Sequence, residues 1–364
     1  MSDGKSVADI PTRRSFLAAG GLAGAGLLAT SCRGGGDQQG EGDSAGIFPG
    51  APRYNFVFVN HVTTNSFFTA TKYGIEDASA LLGTKFQWTG SKDSIVSEMV
   101  NAMNTAINAG ADGIAVSIVD PNAFNEPIER ALGKGIPVVA YNANGAVGDP
   151  NPALAYIGQD LYKTGVQMGK RIAKTVKSGK VTLFIATPGQ LNIQPRIDGA
   201  KAGIKQSGAD LEIHEVATGA QMNEELNRID SYYQGHKDVN GMFAVDAGST
   251  QGLAQVMKKY DLAAKGIKAG GFDLLPKTLE GIKNGHLEFT IDQQAYLQGF
   301  YPVTQLYLFR VSGGLVSPAD TNTSLKFVTK ENVDPYLATK TRYQGSTEKA
   351  KVLQSPKKIQ VPSY

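Results

Sequence analysis

Short apolar segments alternate with longer segments of helical periodicity along most of the chain. The segments YNFVFVN (residues 54–60), TKFQWT (84–89) and GIAVSIV (113–119) are each followed by a helical pattern, and IPVVAYN (136–142) follows the third. Short, mostly apolar strands between helices are typical of a parallel sheet that is covered on both faces. The pattern therefore predicts consecutive β-α-β units.

A second series of the same kind begins near residue 180. Its strand-like segments are VTLFIAT (181–187), LEIHEVA (211–217), GMFAV (241–245), IKAGGF (267–272) and LEFTID (287–292). The chain after residue 50 has about 310 residues, which is more than a single hydrophobic core usually serves. We therefore predict an α/β protein with two doubly wound, Rossmann-like lobes, each with its own sheet.

The first residues have the composition of an export signal. The segment TRRSFL (residues 12–17) resembles a twin-arginine signal. The apolar stretch behind it, residues 16–30, is shorter than the roughly 20 residues that a membrane-spanning helix needs. We predict a signal peptide over residues 1–31, which directs the protein to the periplasm or the outer face of the cell membrane.

Cys32 directly follows the predicted signal and is the only cysteine of the chain, so an internal disulfide is excluded. Its position resembles the lipidation site of bacterial lipoproteins, although Ala29 stands where a leucine is usual. The alternative is a free thiol. Residues 32–50 are rich in Gly, Asp and Gln, which predicts a flexible tether. A lipid on Cys32 would hold the protein at a membrane without spanning it.

The charge and the histidines argue against several classes of protein. The chain has 36 Lys and Arg against 33 Asp and Glu, without a basic stripe that would bind nucleic acid. Its 4 histidines are scattered and have no metal-ligand spacing. No phosphate-binding loop of the G-x-x-x-x-G-K-[ST] type is present. We therefore expect no metal, no cofactor and no nucleic-acid partner.

Polar residues stand at the ends of the predicted strands, where open α/β sheets bind their ligands. Amides and carboxylates dominate among them, and such groups suit a ligand with many hydroxyls. These residues include His61, Ser117, Asp120, Asn142, Asp246, Asp273, Asp292 and Gln293.

Several segments resemble, in the same order, the ribose-type periplasmic sugar-binding proteins, which are type I solute-binding receptors of ABC importers. They include NSFF (residues 65–68), GADGIAVSIVDPNAF (110–124), QPRIDGAKAGI (194–204), GMFAVDAG (241–248) and FTIDQQAYLQG (289–299). The resemblance covers nearly the whole chain after residue 50 and implies two lobes joined by three crossovers. It assigns residues 51–156 and 294–323 to the first lobe, and residues 157–293 and 324–364 to the second.

The resemblance also implies roles for single residues. Phe67 and Phe68 match aromatics that lie against a sugar ring, and Asn65 matches a nearby amide. Asp273 and Gln293 match an Asp and a Gln of the family. The other predicted ligand-binding residues depart from the family pattern or complete the strand-end set, and they are His61, Ser117, Asn142, Gln194, Arg196 and Asp246.

Two departures remove positive charge from the predicted site. Ala143 and Gln194 stand where the ribose receptors have arginines, and His61 stands where they have a small hydroxyl residue. These changes argue against ribose itself and leave a site that suits a neutral, polyhydroxylated ligand.

Structural roles remain open for several of these residues. Asp120 precedes Pro121 and has the pattern of a helix cap, and Asp273 can be satisfied by the turn before Pro276. Phe67 and Phe68 are adjacent in a starting helix, so at least one of them can belong to the core. His61 can be a hydrogen-bonded structural histidine.

The sequence predicts an exported, monomeric receptor that captures a small neutral sugar or polyol by hinge closure and presents it to an ABC transporter permease. The expected hinge lies near residues 155–158, 293–294 and 324–328, and the tail after Val333 is expected on the second lobe. Two alternatives remain open. A secreted carbohydrate-processing enzyme would use Asp246, Asp273 and Asp292 as acid and base, and a sugar sensor would dock to a membrane receptor. The export signal disfavours a transcriptional regulator.

Overall fold

The computed structural model describes residue 48 and residues 50–145, 151–338 and 341–346. The predicted signal peptide, Cys32 and almost all of the predicted tether lie outside the described residues. None of the helices within the described ranges combines the length and the apolar character that crossing a membrane requires.

The described residues form twelve strands and ten α-helices. The strands are β1 (Asn55–Asn60), β2 (Lys85–Gly90), β3 (Gly113–Ile118), β4 (Val138–Asn144), β5 (Tyr156–Gly158), β6 (Ser178–Ile185), β7 (Asp210–Ala217), β8 (Gly241–Ala244), β9 (Lys268–Phe272), β10 (Phe289–Asp292), β11 (Thr321–Asn322) and β12 (Lys326–Val328). The helices are α1 (Phe68–Leu82), α2 (Val96–Asn108), α3 (Asn125–Gly133), α4 (Leu161–Thr175), α5 (Gln194–Gln206), α6 (Met222–Gly235), α7 (Ala247–Lys259), α8 (Pro276–Lys283), α9 (Leu297–Val311) and α10 (Asp334–Ala338).

The strands form two six-stranded sheets. The first has the order β11-β5-β4-β3-β1-β2 and is parallel throughout. The second has the order β12-β10-β9-β8-β6-β7 and is parallel except for the edge pair β10 and β12. The prediction of two doubly wound α/β lobes is therefore confirmed.

The central strands of each sheet are buried on both faces. In β1, Phe56 and Phe58 belong to one hydrophobic cluster, while Val57 and Val59 belong to another on the opposite face. Successive strand residues point to opposite faces, so a continuous apolar run is stable only where helices cover both. This physical requirement explains why the strand-like segments read as almost uninterrupted apolar runs.

The chain passes between the two sheets three times. The crossings lie between β5 and α4, between β10 and α9, and between β11 and β12. Thr323 in the third crossing joins the other two, because its backbone N–H donates to the carbonyl of Gly158 at 2.9 Å and its hydroxyl to the carbonyl of Gln293 at 2.8 Å. The crossings are therefore hydrogen-bonded to one another.

Helices α4 and α5 cover the second sheet and approach each other closely through glycines. A Cβ on Gly169 would lie 2.1 Å from the carbonyl oxygen of Ala200, and a Cβ on Gly203 would lie 2.2 Å from that of Val166. Only glycine permits such an approach of two backbones. The glycines thus determine the position of α5 and of Arg196, which lies in its first turn.

A C-terminal strap, of which residues 334–338 and 341–346 are described, contacts both lobes. Asp334 pairs with Lys283 of α8 at 2.5 Å on the second lobe. Further on, Arg342 pairs with Glu76 at 2.7 Å and Asp77 at 2.9 Å on α1 of the first lobe. The expectation that the tail packs on the second lobe therefore fails for residues 341–346, because the carboxylates that pair with Arg342 lie on α1.

Candidate functional site

His61 follows β1 and lies between the lobes, where it is almost fully buried. Its Nδ1 is 3.0 Å from Oγ of Ser117 on β3, and its Nε2 is 3.0 Å from Nδ2 of Asn192, just before α5. An amide nitrogen can only donate, so Nε2 of His61 accepts and Nδ1 carries the proton that is donated to Ser117. His61 thus links the first lobe to the second.

The imidazole of His61 is uncharged in this site. Burial lowers its pKa to about 3, and the positive charge of Arg196 acts in the same direction. Only the neutral ring can accept the hydrogen bond from Asn192. The bond between the lobes therefore depends on the neutral form of His61.

An aromatic cluster packs against His61. The ring of Phe68 lies at 85° to the imidazole with a centroid distance of 5.3 Å, and it also packs against Trp88 at 5.7 Å. Phe68 is buried, whereas Phe67 beside it is only half-buried. Oδ1 of Asn65 accepts from the N–H of Phe67 at 2.9 Å and so stabilises the start of α1. Phe68 is thus buried against His61, and Phe67 keeps exposed surface.

Arg196 is 2% exposed and reaches from α5 across the end of the second sheet. Its Nη1 donates to the carbonyl of Val245 at 2.8 Å, and its guanidinium lies 4.1 Å from the centre of the Phe272 ring. Its Nη2 lies 3.4 Å from Oε1 of Gln159 in the first crossing. These contacts hold a buried positive charge at the cleft and attach it to the hinge.

A chain of side-chain amides crosses from the second lobe to the first. Gln293 donates to Asp273 at 2.7 Å, Gln298 donates to Gln293 Oε1 at 3.1 Å, and Asn142 donates to Gln298 at 3.0 Å. Every amide in the chain donates towards Asp273, so the carboxylate is the final acceptor. Burial raises the pKa of Asp273 to about 7, although Arg196 and Gln293 both lower it.

Gln194 is not joined to these networks. Its Oε1 accepts from the N–H of Gly189 at 2.8 Å, and its Nε2 donates to Asp198 at 3.0 Å. Both amide atoms are therefore used within the second lobe at the start of α5. Asn192, two residues earlier, is the amide that meets His61.

Asp246 caps helix α7. Its Oδ1 accepts from the N–H of Ser249 at 2.8 Å and its Oδ2 from the N–H of Ala186 at 3.1 Å. Glu225 lies beside it, almost fully buried, and accepts from the hydroxyl of Ser249 at 2.9 Å. Burial and then the charge of Asp246 raise the pKa of Glu225, so Glu225 holds the proton of this carboxyl pair.

Direct hydrogen bonds close the mouth of the cleft. Gln190 Nε2 donates to the carbonyl of Ser94 at 2.8 Å, and the N–H of Leu191 donates to the carbonyl of Val119 at 2.9 Å. Gln221 Nε2 donates to the carbonyl of Lys92 at 2.9 Å. Each of these bonds joins one lobe to the other, so the structure is a closed form.

Sequence reasoning missed several residues of this arrangement, among them Gln159, Gln190, Asn192 and Gln298. Two of them could have been found from the sequence. Gln190 and Asn192 are amides between the end of β6 and the start of α5, where polar residues after a strand indicate a ligand site. Gln298 lies inside a predicted helix and Gln159 in a crossover, and only the folded chain brings them to the cleft.

Two buried polar atoms of the cleft have no hydrogen-bond partner among the described residues. They are Nε of Arg196, a donor, and Oδ1 of Asn192, an acceptor. A buried polar atom without a partner costs about 1–3 kcal/mol, so such atoms in a cleft indicate a bound group that satisfies them. Within the described ranges no set of three or more His, Cys, Asp and Glu is placed to hold a metal ion.

Comparison with known proteins identifies a matching family and a similar protein. A sequence model of the periplasmic binding protein domain matches residues 56–310. The xylose/arabinose-binding protein XylF of Sulfolobus acidocaldarius is 50% identical over 314 residues, which are 83% of this chain and 77% of that protein.

Two solved structures have the same fold. An ABC transporter solute-binding protein from Burkholderia graminis, in complex with D-arabinose, is 24% identical with a TM-score of 0.71 and covers 78% of this chain and 97% of that chain. Another, from Agrobacterium vitis with bound D-fucose, is 24% identical with a TM-score of 0.72 and covers 78% of this chain and 98% of that chain. The predicted fold is thereby confirmed.

Proposed function

The chain belongs to the periplasmic binding protein family, and we propose that its ligand is a small neutral sugar or polyol, which it delivers from outside the cytoplasm to the permease of an ABC importer. The single observation that carries the ligand class is the pair of unpartnered buried atoms, Nε of Arg196 and Oδ1 of Asn192. One donates and the other accepts, as hydroxyl groups require.

Five-carbon sugars are the first candidates. The relative that is 50% identical is named for xylose and arabinose. The cleft is lined mainly by amides, hydroxyls and an uncharged imidazole, and the buried charge of Arg196 is opposed by the nearby carboxyl group of Asp273, so the site favours an uncharged ligand. The ligand-binding residues predicted from the sequence keep this role as part of the proposal, and they are His61, Asn65, Phe67, Phe68, Ser117, Asn142, Gln194, Arg196, Asp246, Asp273 and Gln293.

The mechanism that we propose is hinge closure. Bonds from both lobes, such as those of Asn192 and Gln190, form only when the lobes meet, so a ligand held by both lobes favours the closed form. The three crossings form the hinge. The lobe limits predicted from the sequence belong to this proposal, with the strap attached to both lobes.

We further propose that the protein releases the ligand without any chemical change. The three carboxylates that an enzyme would need are occupied: Asp246 caps α7, Asp273 accepts from Gln293, and Asp292 accepts from the N–H of Gln294 at 2.8 Å. A monomeric state, export by the twin-arginine route and a lipid on Cys32 remain part of the proposal.

A thermal-shift screen against pentoses, hexoses and polyols tests the proposal, with the full mature chain as the sample. A ligand at about 100 times its dissociation constant adds roughly 2.7 kcal/mol to the free energy of unfolding. We expect a clear shift with one sugar class and no consumption of that sugar by NMR. Product formation would support the enzyme alternative, and an absence of any shift would contradict the sugar assignment.

A further inference from the structure

Asn192 has one amide atom committed to the opposite lobe and one that is free for a ligand. Its Nδ2 donates to Nε2 of His61, whereas its Oδ1 is buried and has no partner among the described residues. We propose, on the basis of the proposed function, that Asn192 is the residue that selects one particular ligand hydroxyl, because its Oδ1 accepts the hydrogen of that hydroxyl only in the closed form.

The backbone around Asn192 is held on both sides. The N–H of Leu191 donates to the carbonyl of Val119 in the first lobe at 2.9 Å, and the side chain of Ile193 is buried in the core of the second lobe. Asn192 therefore cannot turn away from the cleft while the lobes are closed. The orientation of its amide group then decides which atom, Nδ2 or Oδ1, faces His61.

The tautomer of His61 and the orientation of this amide match each other. Its Nδ1 proton is donated to Ser117, which leaves Nε2 as an acceptor facing the amide. With this tautomer a rotated amide would place Oδ1 against Nε2, acceptor against acceptor, so the bond between the lobes would survive only if the His61 proton also moved to Nε2. The atom presented to the ligand is therefore an acceptor, and it requires a donor.

This geometry couples selection to closure. His61 belongs to the first lobe and Asn192 to the second, so the amide is oriented only when the lobes meet. A ligand that lacks the hydroxyl leaves a buried acceptor unpaired in the closed form alone, and so it shifts the equilibrium towards the open form. An unpaired buried group discriminates strongly between a ligand and its deoxy analogue.

Gln190 provides a matched control in the same segment. It also joins the lobes, but both of its amide atoms are used: Nε2 donates to the carbonyl of Ser94 at 2.8 Å, and Oε1 accepts from the hydroxyl of Thr187 at 3.0 Å. Loss of Gln190 therefore weakens closure without removing an atom that is free for the ligand.

The test measures dissociation constants by calorimetry for the best sugar of the screen and for each of its monodeoxy and deoxyfluoro analogues. In the unaltered protein we expect one position at which both analogues bind at least about tenfold more weakly, since fluorine accepts but cannot donate. In Asn192→Ala, the ratio of the dissociation constant of the analogue to that of the parent sugar falls to about one at that position only. In Gln190→Ala all ligands bind more weakly by a common factor, and the ratio stays the same as in the unaltered protein.

Asn192→Asp keeps an acceptor for the ligand, because the second tautomer of His61 can donate from Nε2 to one carboxylate oxygen. We expect this variant to restore the discrimination that Asn192→Ala loses. An unchanged ratio at every position in Asn192→Ala would overturn the proposal and leave the proposed function intact. If the unaltered protein binds no sugar, the proposed function falls, and this proposal falls with it.

Discussion

Gln298 Nε2 lies 3.1 Å from Oε1 of Gln293, and this bond connects helix α9 of the first lobe to the end of β10 in the second. The amide of Gln298 also accepts from Asn142 through its Oε1. Gln298 is therefore the link through which the amide chain that ends at Asp273 crosses the hinge.

Replacing Gln298 should affect both stability and binding. In Gln298→Ala, the buried amides of Asn142 and Gln293 each lose a partner, and we expect the free energy of unfolding to fall by about 1–3 kcal/mol. Sugar affinity should fall as well, because Gln293 is no longer held towards Asp273. Chemical denaturation and calorimetry check the two effects.

Gln305 is the control for this variant. It lies on the same helix, and its amide bonds to Ala319 and Thr321, away from the cleft. Gln305→Ala should leave sugar affinity unchanged. Equal losses of affinity in both variants would show that Gln298 acts only through the stability of α9.

The neutral state of His61 makes stability depend on pH in the acid range. The folded pKa of about 3 is below the ordinary value of 6.5, so the stabilising contribution is complete above 6.5 and is lost as pH falls towards 3. The slope for one group is at most about 1.4 kcal/mol per pH unit. His61→Asn should flatten this part of the profile in denaturation experiments. If His61→Asn keeps the same slope of unfolding free energy against pH, the slope must come from other groups.

The contribution of Glu225 to stability should change with pH in the direction opposite to that of His61. Its pKa is raised by burial, so its stabilising contribution is complete at pH values below the ordinary carboxyl pKa and is lost as pH rises. Glu225→Gln keeps a donor for Asp246 and an acceptor for Ser249. We expect the variant to be at least as stable as the parent at pH 7 and more stable in alkali, as thermal unfolding at several pH values will test.

Glu224 is the adjacent control, because it is exposed and pairs with Arg228. Glu224→Gln should change the pH profile little. A large loss of stability in Glu225→Gln at pH 7 would contradict a protonated Glu225.

Gly169 should tolerate no side chain. A Cβ at this position meets the carbonyl oxygen of Ala200 at 2.1 Å, so Gly169→Ala must displace α5. We expect a loss of about 1–3 kcal/mol in stability, together with weaker sugar binding because Asn192 and Arg196 move with α5. Gly133 at the end of α3 has open space around it, and Gly133→Ala should be close to neutral in both measurements. Unaltered sugar affinity in Gly169→Ala would contradict the positioning role of the glycines.

The strap should favour the closed form. Arg342 pairs with Glu76 and Asp77 and lies 4.1 Å from the centre of the Tyr73 ring, so Arg342→Ala removes the main contact of the strap with the first lobe. We expect faster ligand release and a larger radius of gyration by X-ray scattering without ligand. Arg228→Ala removes an exposed pair on α6 and should change neither. Identical release rates in both variants would contradict the strap's role.

The sheets could be predicted from the sequence because burial on both faces requires uninterrupted apolar runs. The site could be predicted only in part. Strand ends indicated His61, Ser117 and Asp273, since the topology alone brings the carboxyl ends of the strands to one edge of each sheet. Asp246 also stands at a strand end, but its position directly before α7 makes it a cap, and sequence position cannot separate the two roles.

Residues whose role depends on tertiary contacts were beyond sequence reasoning. Resemblance indicated Gln194, yet the turn into α5 directs Asn192 towards His61 and Gln194 towards Asp198. Gln298 looks like an ordinary helix residue until α9 is packed beside β10. The second anchor of the strap depends on carboxylates more than 260 positions earlier in the chain, as Arg342 and Asp77 illustrate.

The strap also sets a limit on how far the protein can open. On the second lobe the strap is held by Tyr336, whose hydroxyl lies 3.4 Å from Oδ2 of Asp292, and on the first lobe by Arg342, so six peptide links join the two contacts. An extended chain spans at most about 22 Å over that length. Any wider separation of these points must first detach an anchor. The number of residues between the two contacts of the strap therefore limits how far the lobes can separate while both contacts remain intact.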